Sequence, residues 1–225
     1  MLPSRRLIER QADWLAPLRA RILREVDIGR RARVLDLGAG YGTVTPELAR
    51  RCAGLAFGLD RQLSALREAA VADTSLMCGD ATALPFRDQS LDLVFTQFAL
   101  LWMPLDAALR EVHRVLRPGG VLVALEPDYG GMIEWPPAAE TREIWLAGLR
   151  RAGADPYIGR KLPDALAQLG WRVTTRLTSE IPPADPERLT FLHELDLTAA
   201  ERACLDQAQS ATLAHLPLFC LIAER

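Results

Sequence analysis

Residues 33–43 read Arg-Val-Leu-Asp-Leu-Gly-Ala-Gly-Tyr-Gly-Thr, an apolar run that ends in an acid and continues into a glycine-rich turn. The segment that follows, residues 46–50, has the composition of a helix. A strand that enters a helix through such a turn presents free main-chain N–H groups and the positive end of the helix dipole at one point. Glycines let a ligand approach that backbone without a side chain in the way. The stretch therefore predicts a site for a nucleoside-bearing cofactor.

The length and composition of the chain predict an ordinary globular protein. With 225 residues, of which 49% are hydrophobic and 25% charged, a single domain over residues 1–225 is expected. A net charge of −2 does not produce the strong positive potential that is typical of nucleic-acid-binding proteins. The four cysteines are far apart in the sequence and lack the spacing of metal ligands. This pattern predicts a protein of the reducing cytoplasm without a metal centre. No apolar segment resembles a signal peptide or a membrane span, so membrane insertion is not expected.

Apolar strands alternate with helical segments through the first half of the chain. The strands are expected at residues 34–37, 55–60, 75–80, 91–96 and 121–126. Near-continuous apolar strands joined by helices are typical of a parallel sheet that is covered on both faces. With further strands at residues 171–181 and 218–223, we expect an α/β fold with a Rossmann-like, doubly wound, mostly parallel seven-stranded sheet.

The pattern divides the chain into three stretches. Residues 1–30 are predicted to form an N-terminal helical cover, residues 31–126 the cofactor half and residues 127–225 the substrate-side half. In the last stretch we expect a loop at residues 127–137 and helices at residues 138–152, 161–169 and 186–209. Thr198 and Glu201 have the spacing of a capping box.

Three of the predicted parallel strands end in an acid, at Asp36, Asp60 and Asp80. Ligands of open α/β sheets bind outside the carboxyl ends of the strands, so these acids should gather near the glycine turn. Asp60 follows that turn by about 20 residues, the spacing at which an acid reaches ribose hydroxyls. A glycine turn alone would be weak support for a cofactor site, because such turns also serve packing.

Further motifs accompany the turn in a fixed order. They are Val-Leu-Asp-Leu-Gly-Ala-Gly-Tyr-Gly at 34–42, Gly-Leu-Asp at 58–60, Gly-Asp-Ala-Thr-Ala-Leu-Pro-Phe at 79–86, Ser-Leu-Asp-Leu-Val-Phe-Thr at 90–96 and Glu-Val-His-Arg-Val-Leu-Arg-Pro-Gly-Gly at 111–120. This combination resembles the class I S-adenosylmethionine-dependent methyltransferases. More narrowly, it resembles the subgroup typified by the ubiquinone/menaquinone-biosynthesis methyltransferases. The matching motifs lie in the cofactor half.

The resemblance implies S-adenosylmethionine as the cofactor, and it implies which residues bind it. These are Gly38, Ala39, Gly40 and Tyr41 in the turn at the methionine end, Asp36 near the ammonium group, Asp60 on the ribose, Arg61 beside the adenine, Asp80 and the Ala81 N–H on the adenine edge, and Thr96 and Gln97 on the path to the sulfonium.

The acceptor side is less well marked. Glu126, Asp128 and Tyr129, at the end of the fifth strand, lie where family members place substrate-contacting residues, and they are the catalytic candidates. Glu126 has an alternative role, that of capping main-chain N–H groups. Members of the subgroup often carry a histidine just past the fourth strand, where this chain has Leu101-Trp102, so no general base is assigned there.

Aromatic and apolar side chains suggest what covers the site. The N-terminal helix with Trp14 and the loop from Glu126 to Trp135, with Tyr129, Met132 and Trp135, are predicted to form the acceptor pocket and not the cofactor pocket, because such side chains exclude water and hold an apolar molecule. The alternative is that they are ordinary core contacts.

The resemblance implies methyl transfer by direct in-line displacement to a small-molecule acceptor. A nicotinamide-dependent oxidoreductase is less favoured because its fingerprint is G-x-G-x-x-G, whereas the glycines here are Gly38, Gly40 and Gly42. A nucleic-acid amino-methyltransferase would carry Asn/Asp-Pro-Pro-aromatic where residues 96–99 read Thr-Gln-Phe-Ala. A non-catalytic S-adenosylmethionine-binding protein stays open, because methyl transfer requires no diagnostic side chain.

Overall fold

The computed structural model describes residues 2–69, 75–178, 185, 187–208 and 210–225. The helices are α1 Arg5–Glu25, α2 Thr45–Arg51, α3 Leu63–Glu68, α4 Leu105–Val115, α5 Arg142–Arg151, α6 Ile158–Gln168, α7 Thr190–Glu194 and α8 Ala199–Gln207. The strands are β1 Arg33–Leu37, β2 Leu55–Asp60, β3 Ser75–Cys78, β4 Leu91–Gln97, β5 Leu116–Pro127, β6 Ile133–Trp135, β7 Arg172–Leu177, β8 Leu213–His215 and β9 Leu218–Glu224.

The main sheet has seven strands in the order β3-β2-β1-β4-β5-β9-β7. The pairs from β3 to β5 are parallel, and β9 runs antiparallel to both β5 and β7. The prediction of a mostly parallel seven-stranded α/β sheet is confirmed. The order reverses between β1 and β4, and a crevice opens at such a switch point beyond the carboxyl ends of the strands.

Side chains of successive strand residues enter two different cores because the strand repeat is two residues. In β1, Val34 belongs to the core that contains Ile22 of α1 and Leu48 of α2, whereas Leu35 belongs to the core that contains Leu109 of α4 and Leu162 of α6. The central strands, such as β1 and β4, are thus buried on both faces, which explains why they are largely apolar, whereas the edge strand β7 is mostly exposed.

Helix α1 is continuous across Pro17. It buries one side, including Leu15, Ile22 and Leu23, while arginines occupy much of the rest, as expected of an amphipathic helix on a sheet. No helix in the described part of the chain combines the length and apolarity needed to cross a membrane.

The structure differs from the sequence prediction in the second half. The predicted loop at 127–137 contains β6, which pairs with β8 in a separate two-stranded sheet. The predicted helix at 186–209 is two helices, because the capping box of Thr198 and Glu201 starts α8 instead of lying inside a longer helix. Parts of three predicted segments lie outside the described residues. They are the end of the helix that the sequence predicts at residues 63–71, the end of the strand predicted at 171–181, and residues 186 and 209 of the helix predicted at 186–209.

Candidate active site

The turn after β1 adopts a backbone that only glycine accommodates well. Gly38, Gly40 and Gly42 have φ of +82°, +53° and +70°, in the left-handed region that β-carbons disfavour. The N–H of Gly38 donates to the carbonyl of Leu59 at 2.8 Å, which ties the turn to β2. A β-carbon on Gly38 would lie 2.4 Å from that of Ala99, so the turn also passes too close to the segment after β4 for any other residue.

Asp60 fixes the same turn from the end of β2. One carboxylate oxygen accepts the N–H of Gly40 at 2.8 Å and the other accepts the N–H of Gln62 at 2.8 Å. The side chain is buried, so these hydrogen bonds replace the water that it loses. Each oxygen keeps a further lone pair that can accept from a ligand.

The other two acids have different surroundings. Asp36 is buried and accepts the hydroxyl of Thr45 at 2.6 Å, and burial raises its pKa to about 6. Asp80 is exposed and accepts the N–H and hydroxyl of Thr82, each at 2.8 Å. These bonds lower the pKa of Asp80, so it is a carboxylate at neutral pH.

A cavity of about 120 Å³ lies against the turn and the three acids; we call it the glycine-turn cavity. Of the predicted cofactor-binding residues, those in its wall are Asp36, Gly38, Ala39, Gly40, Asp60, Arg61, Asp80, Ala81 and Gln97. Thr96 and Tyr41, which were also predicted to bind the cofactor, do not line this cavity. Thr96 is enclosed in β4, with its hydroxyl 3.5 Å from Glu126, and Tyr41 lies half-buried outside the cavity.

Sequence reasoning did not assign the remaining wall of this cavity. Leu2 and Pro3 lie across it from the N-terminal side, and Trp102 and Met103 contribute from the segment after β4. A β-carbon on Gly40 would lie 3.6 Å from the side chain of Leu2, which places Leu2 directly over the glycine turn. The N-terminal segment therefore covers this site as well, and the prediction that it contributes to the acceptor pocket and not to the cofactor pocket is wrong in its second part. No local motif marks which of its residues reach the cavity.

A buried arginine on α1 fixes one wall residue. The guanidinium of Arg19 donates to Glu47 at 2.7 Å, to the carbonyl of Ala12 at 3.0 Å and to Oε1 of Gln97 at 3.0 Å. Because Oε1 of Gln97 is engaged, its amide N–H groups are the part of that side chain that can serve a ligand.

A second cavity, of about 420 Å³, adjoins the first; we call it the aromatic cavity. Its aromatic wall residues are Trp14, Phe98, Tyr129, Trp145 and Phe191. Phe98, Tyr129 and Phe191 also belong to the wall of the glycine-turn cavity. The two cavities thus share a wall.

Phe98 holds an unusual backbone at this shared wall. Its φ of +51° is a true outlier for a bulky residue and costs on the order of 1–3 kcal/mol. The N–H of Phe98 donates to the carbonyl of Leu125 at 2.9 Å, and its ring packs edge-on against Trp14 with centroids 6.3 Å apart. Strain of this kind is concentrated at functional sites.

Of the four aromatic or apolar residues predicted for the acceptor pocket, three line the aromatic cavity and one does not. Trp14, Tyr129 and Met132 line the aromatic cavity. Trp135 does not, and it is 60% exposed. The cause is the two-residue repeat of β6, which turns Glu134 inward and both Ile133 and Trp135 outward.

The catalytic candidates Glu126 and Asp128 reach neither cavity. Oε1 of Glu126 accepts the N–H groups of Ala99 and Leu100 at 3.2 and 3.0 Å, so its capping role is the one observed. Burial raises its pKa to about 7, and Oε2 has no partner among the described residues. Asp128 forms an ion pair with Arg160 at 2.7 Å.

Tyr129 is the one catalytic candidate that lines a cavity, but its hydroxyl is poorly suited to lose a proton. Burial raises the pKa of Tyr129 above its ordinary value, and the nearby Glu126 adds to the shift. The ring stacks obliquely on Trp145 with centroids 5.1 Å apart. The structure therefore presents Tyr129 as a wall.

Several charged or titratable residues of the aromatic cavity were missed from the sequence. Arg10, Glu134, Arg188 and His215 all lie in its wall. Burial lowers the pKa of His215, so its imidazole is neutral at pH 7. These residues come from four distant parts of the chain, and no spacing in the sequence links them. In the ranges that the structure describes, no group of His, Cys, Asp and Glu is arranged to hold a metal ion.

Comparison with known proteins gives a consistent result. Residues 35–124 match a family described as a methyltransferase domain. The malonyl-[acyl-carrier protein] O-methyltransferase 1 of Coxiella burnetii is 41% identical over 92 residues, covering 40% of this chain and 32% of that protein. The mitochondrial arginine-hydroxylase NDUFAF5 of Danio rerio is 28% identical over 218 residues, covering 85% of this chain and 66% of that protein. The chain thus spans about a third of the first relative.

Among solved structures, a SAM-dependent methyltransferase from Archaeoglobus fulgidus superposes with a TM-score of 0.61. The superposition covers 99% of this chain and 95% of the other. At 18% sequence identity, the likeness shows a shared fold.

Proposed function

We propose that this chain, whose residues 35–124 match a methyltransferase domain, is a class I S-adenosylmethionine-dependent methyltransferase that methylates a small molecule bound in the aromatic cavity. The observation that carries the proposal is the wall shared by the two cavities, whose aromatic members are Phe98, Tyr129 and Phe191. Donor and acceptor must meet at such a wall for the reaction to occur. Apart from Phe98, the residues that line the aromatic cavity lie outside the matched residues 35–124.

The residues of the glycine-turn cavity fit this cofactor. Asp60 offers free lone pairs to ribose hydroxyls, and Asp80 with the Ala81 N–H offers an acceptor and a donor to the adenine edge. The Gln97 amide, oriented by Arg19, offers donors on the side of β4. The glycine turn supplies a close backbone approach for the methionine end.

The N-terminal segment must shift when the cofactor enters. The glycine-turn cavity of about 120 Å³ is below the roughly 300–1,000 Å³ of ligand pockets. Leu2 and Pro3 lie across it. We propose that residues 2–4 act as a cover, which would close over the bound cofactor and exclude water.

S-adenosylmethionine supplies a methyl group that is already activated on a sulfonium, so the protein mainly orients the two reactants. The aromatic wall residues hold a flat acceptor and keep water out. Where the acceptor loses a proton, His215 is positioned in the same cavity as a neutral base. Neither Glu126 nor Asp128 is given a part in the reaction, because Glu126 accepts main-chain N–H groups and Asp128 forms an ion pair with Arg160.

The experiment is incubation of the protein with methyl-labelled S-adenosylmethionine and the small-molecule fraction of a cell extract, followed by identification of labelled products. We expect label in a small molecule. Trp14→Ala should lower the rate, because Trp14 lines only the aromatic cavity, and S-adenosylhomocysteine affinity should stay within about a factor of three. Trp135→Ala is the matched control, and it should change neither quantity.

Two results would contradict the proposal. Label transferred only to protein or nucleic acid would show that the acceptor class is wrong. Tight S-adenosylhomocysteine binding without any labelled product would favour a non-catalytic binding protein.

A further inference from the structure

One uncharged polar side chain interrupts the inward side of α1. Residues three and four apart lie on one side of a helix, and the inward side of α1 contains Ile8, Gln11, Ala12 and Leu15. Gln11 is half-buried among these apolar neighbours. A polar group in such a position is expected to have a hydrogen-bonding partner. Arg19, further along the helix, has its partners in the protein, but no hydrogen bond joins the Gln11 amide to another described residue.

Gln11 lies where the two cavities meet. It belongs to the wall of the glycine-turn cavity and to the wall of the aromatic cavity. The other described residues that the two walls share are Pro3, Ile8, Phe98, Tyr129 and Phe191. Among them only Tyr129 has a polar side-chain atom. Donor and acceptor must be adjacent at this wall for methyl transfer, so the Gln11 amide lies beside the place where the methyl group is transferred.

The charged side chains that line the aromatic cavity are paired with one another. Arg10 pairs with Asp185 at 2.5 Å and also with Glu187. Arg188 lies 3.4 Å from Glu134. These five residues are the charged ones in the described wall, so each charge has a neighbour of the opposite sign.

These pairs contain one more acid than arginine, and the excess negative charge is compensated from outside the wall. Arg6 lies 3.6 Å from Glu187. Glu134 accepts the N–H of Thr141 at 2.6 Å and the N–H of Arg142 at 3.1 Å. These donors lie at the positive end of the α5 dipole, where a carboxylate is stabilised.

The two other titratable residues of the wall add no charge at neutral pH. Burial lowers the pKa of the His215 imidazole and raises the pKa of the Tyr129 hydroxyl. An ionic acceptor would therefore lose its water in this cavity without gaining an unpaired charge of opposite sign, which is strongly unfavourable. An uncharged acceptor avoids this cost.

Resting on the function proposed above, we infer that the acceptor is an uncharged molecule with a hydroxyl or carbonyl oxygen, and that Gln11 selects it by hydrogen-bonding this oxygen at the shared wall. A glutamine amide can accept from a hydroxyl and donate to a carbonyl, and it carries no charge. An acceptor without the oxygen would displace water from the amide and leave it unpaired. Gln11 is thus a specificity-determining residue, while the aromatic side chains fit the shape of the acceptor.

The test compares 2-naphthol, which is neutral at pH 7.5, with 2-methylnaphthalene, in which a methyl group replaces the hydroxyl. Binding is measured by equilibrium dialysis against protein kept saturated with S-adenosylhomocysteine. Gln11→Met keeps the length of the side chain and removes the amide, and Gln168→Met makes the same change at an exposed glutamine of α6. We expect the ratio of 2-naphthol affinity to 2-methylnaphthalene affinity to fall by about fivefold or more in Gln11→Met. In Gln168→Met the ratio should stay within about twofold of the wild-type value.

Two further probes test the charge of the acceptor. At pH 7.5, 2-naphthoate is an anion and 2-naphthylmethylamine is a cation. The wild type should bind each of them about tenfold or more weakly than 2-naphthol, because neither ion finds an unpaired charge in the wall.

Three results would overturn the inference: a ratio in Gln11→Met within about twofold of the wild type, binding of either ion as tight as that of 2-naphthol, or no binding of 2-naphthol. If Gln11→Met does not fold, Gln11→Leu gives the same comparison, and the order of the probes on the wild type decides in either case. The proposed function fails separately, because it is measured by the transfer of label from S-adenosylmethionine to a small molecule and not by these affinities.

Discussion

Asp60 holds the glycine turn in place with the same side chain that we propose binds the ribose. Its two oxygens hold the N–H groups of Gly40 and Gln62, so the carboxylate is oriented before any ligand arrives. Such preorganisation reduces the entropy that binding must overcome. The residue was predictable because strand end, turn and spacing are all local features of the sequence.

Asp60→Ala is expected to weaken S-adenosylhomocysteine binding by about 1–3 kcal/mol, because the ribose loses a charged acceptor and the turn loses an anchor. Calorimetric titration measures the change. Asp164→Ala, an exposed acid of α6, is the control and should bind like the wild type. An unchanged dissociation constant for Asp60→Ala would show that another group holds the ribose.

Glu126 should make stability depend on pH. Its pKa is about 7 in the folded protein, raised by burial from an ordinary value of 4.5, so between these values the folded state keeps a proton that the unfolded chain has released. Stability therefore falls as pH rises through this window, by on the order of 3 kcal/mol for this one group. Above pH 7 the loss is complete.

Denaturant unfolding of the wild type and of Glu126→Gln from pH 5 to pH 8 tests this. The difference in unfolding free energy between the two proteins should shift in favour of the glutamine variant as pH rises. A difference that stays constant across the range would mean that Glu126 is ionised in the folded protein throughout.

At the scale of elements, α1 is attached to the sheet by more than apolar contact. Arg19 connects the helix to Glu47 of α2 and to Gln97 at the end of β4. The helix therefore couples the cover of the site to its wall. The amphipathic pattern predicted the helix, but a buried arginine among so many surface arginines carries no local sign of its role.

Arg19→Met is expected to lower the unfolding free energy by on the order of 3 kcal/mol, because it leaves Glu47 partly buried without this partner. Arg51 still pairs with the other oxygen of Glu47 at 2.9 Å, which limits the loss. Adding Glu47→Leu should recover part of it, as measured by denaturant unfolding. A single variant within about 1 kcal/mol of the wild type would show that the pair adds little to stability.

At the scale of the whole molecule, the two cavities differ in how far sequence could predict them. The glycine-turn cavity is built from strand ends whose order follows from alternation of strands and helices, so most of the predicted cofactor-binding residues lie in its wall. Trp14 of α1, Arg188 and His215 of β8 come from distant parts of the chain and are brought together in the wall of the aromatic cavity by tertiary packing. Their sequence neighbours say nothing of that packing, and the outward turn of Trp135 depends on register in β6.

The central claim is that the glycine-turn cavity binds S-adenosylmethionine through the residues around Asp60. The most direct measurement is calorimetric titration of the wild-type protein with S-adenosylhomocysteine and, separately, with NAD. We expect saturable binding of S-adenosylhomocysteine and no binding of NAD. Tight binding of NAD with none of S-adenosylhomocysteine would contradict it.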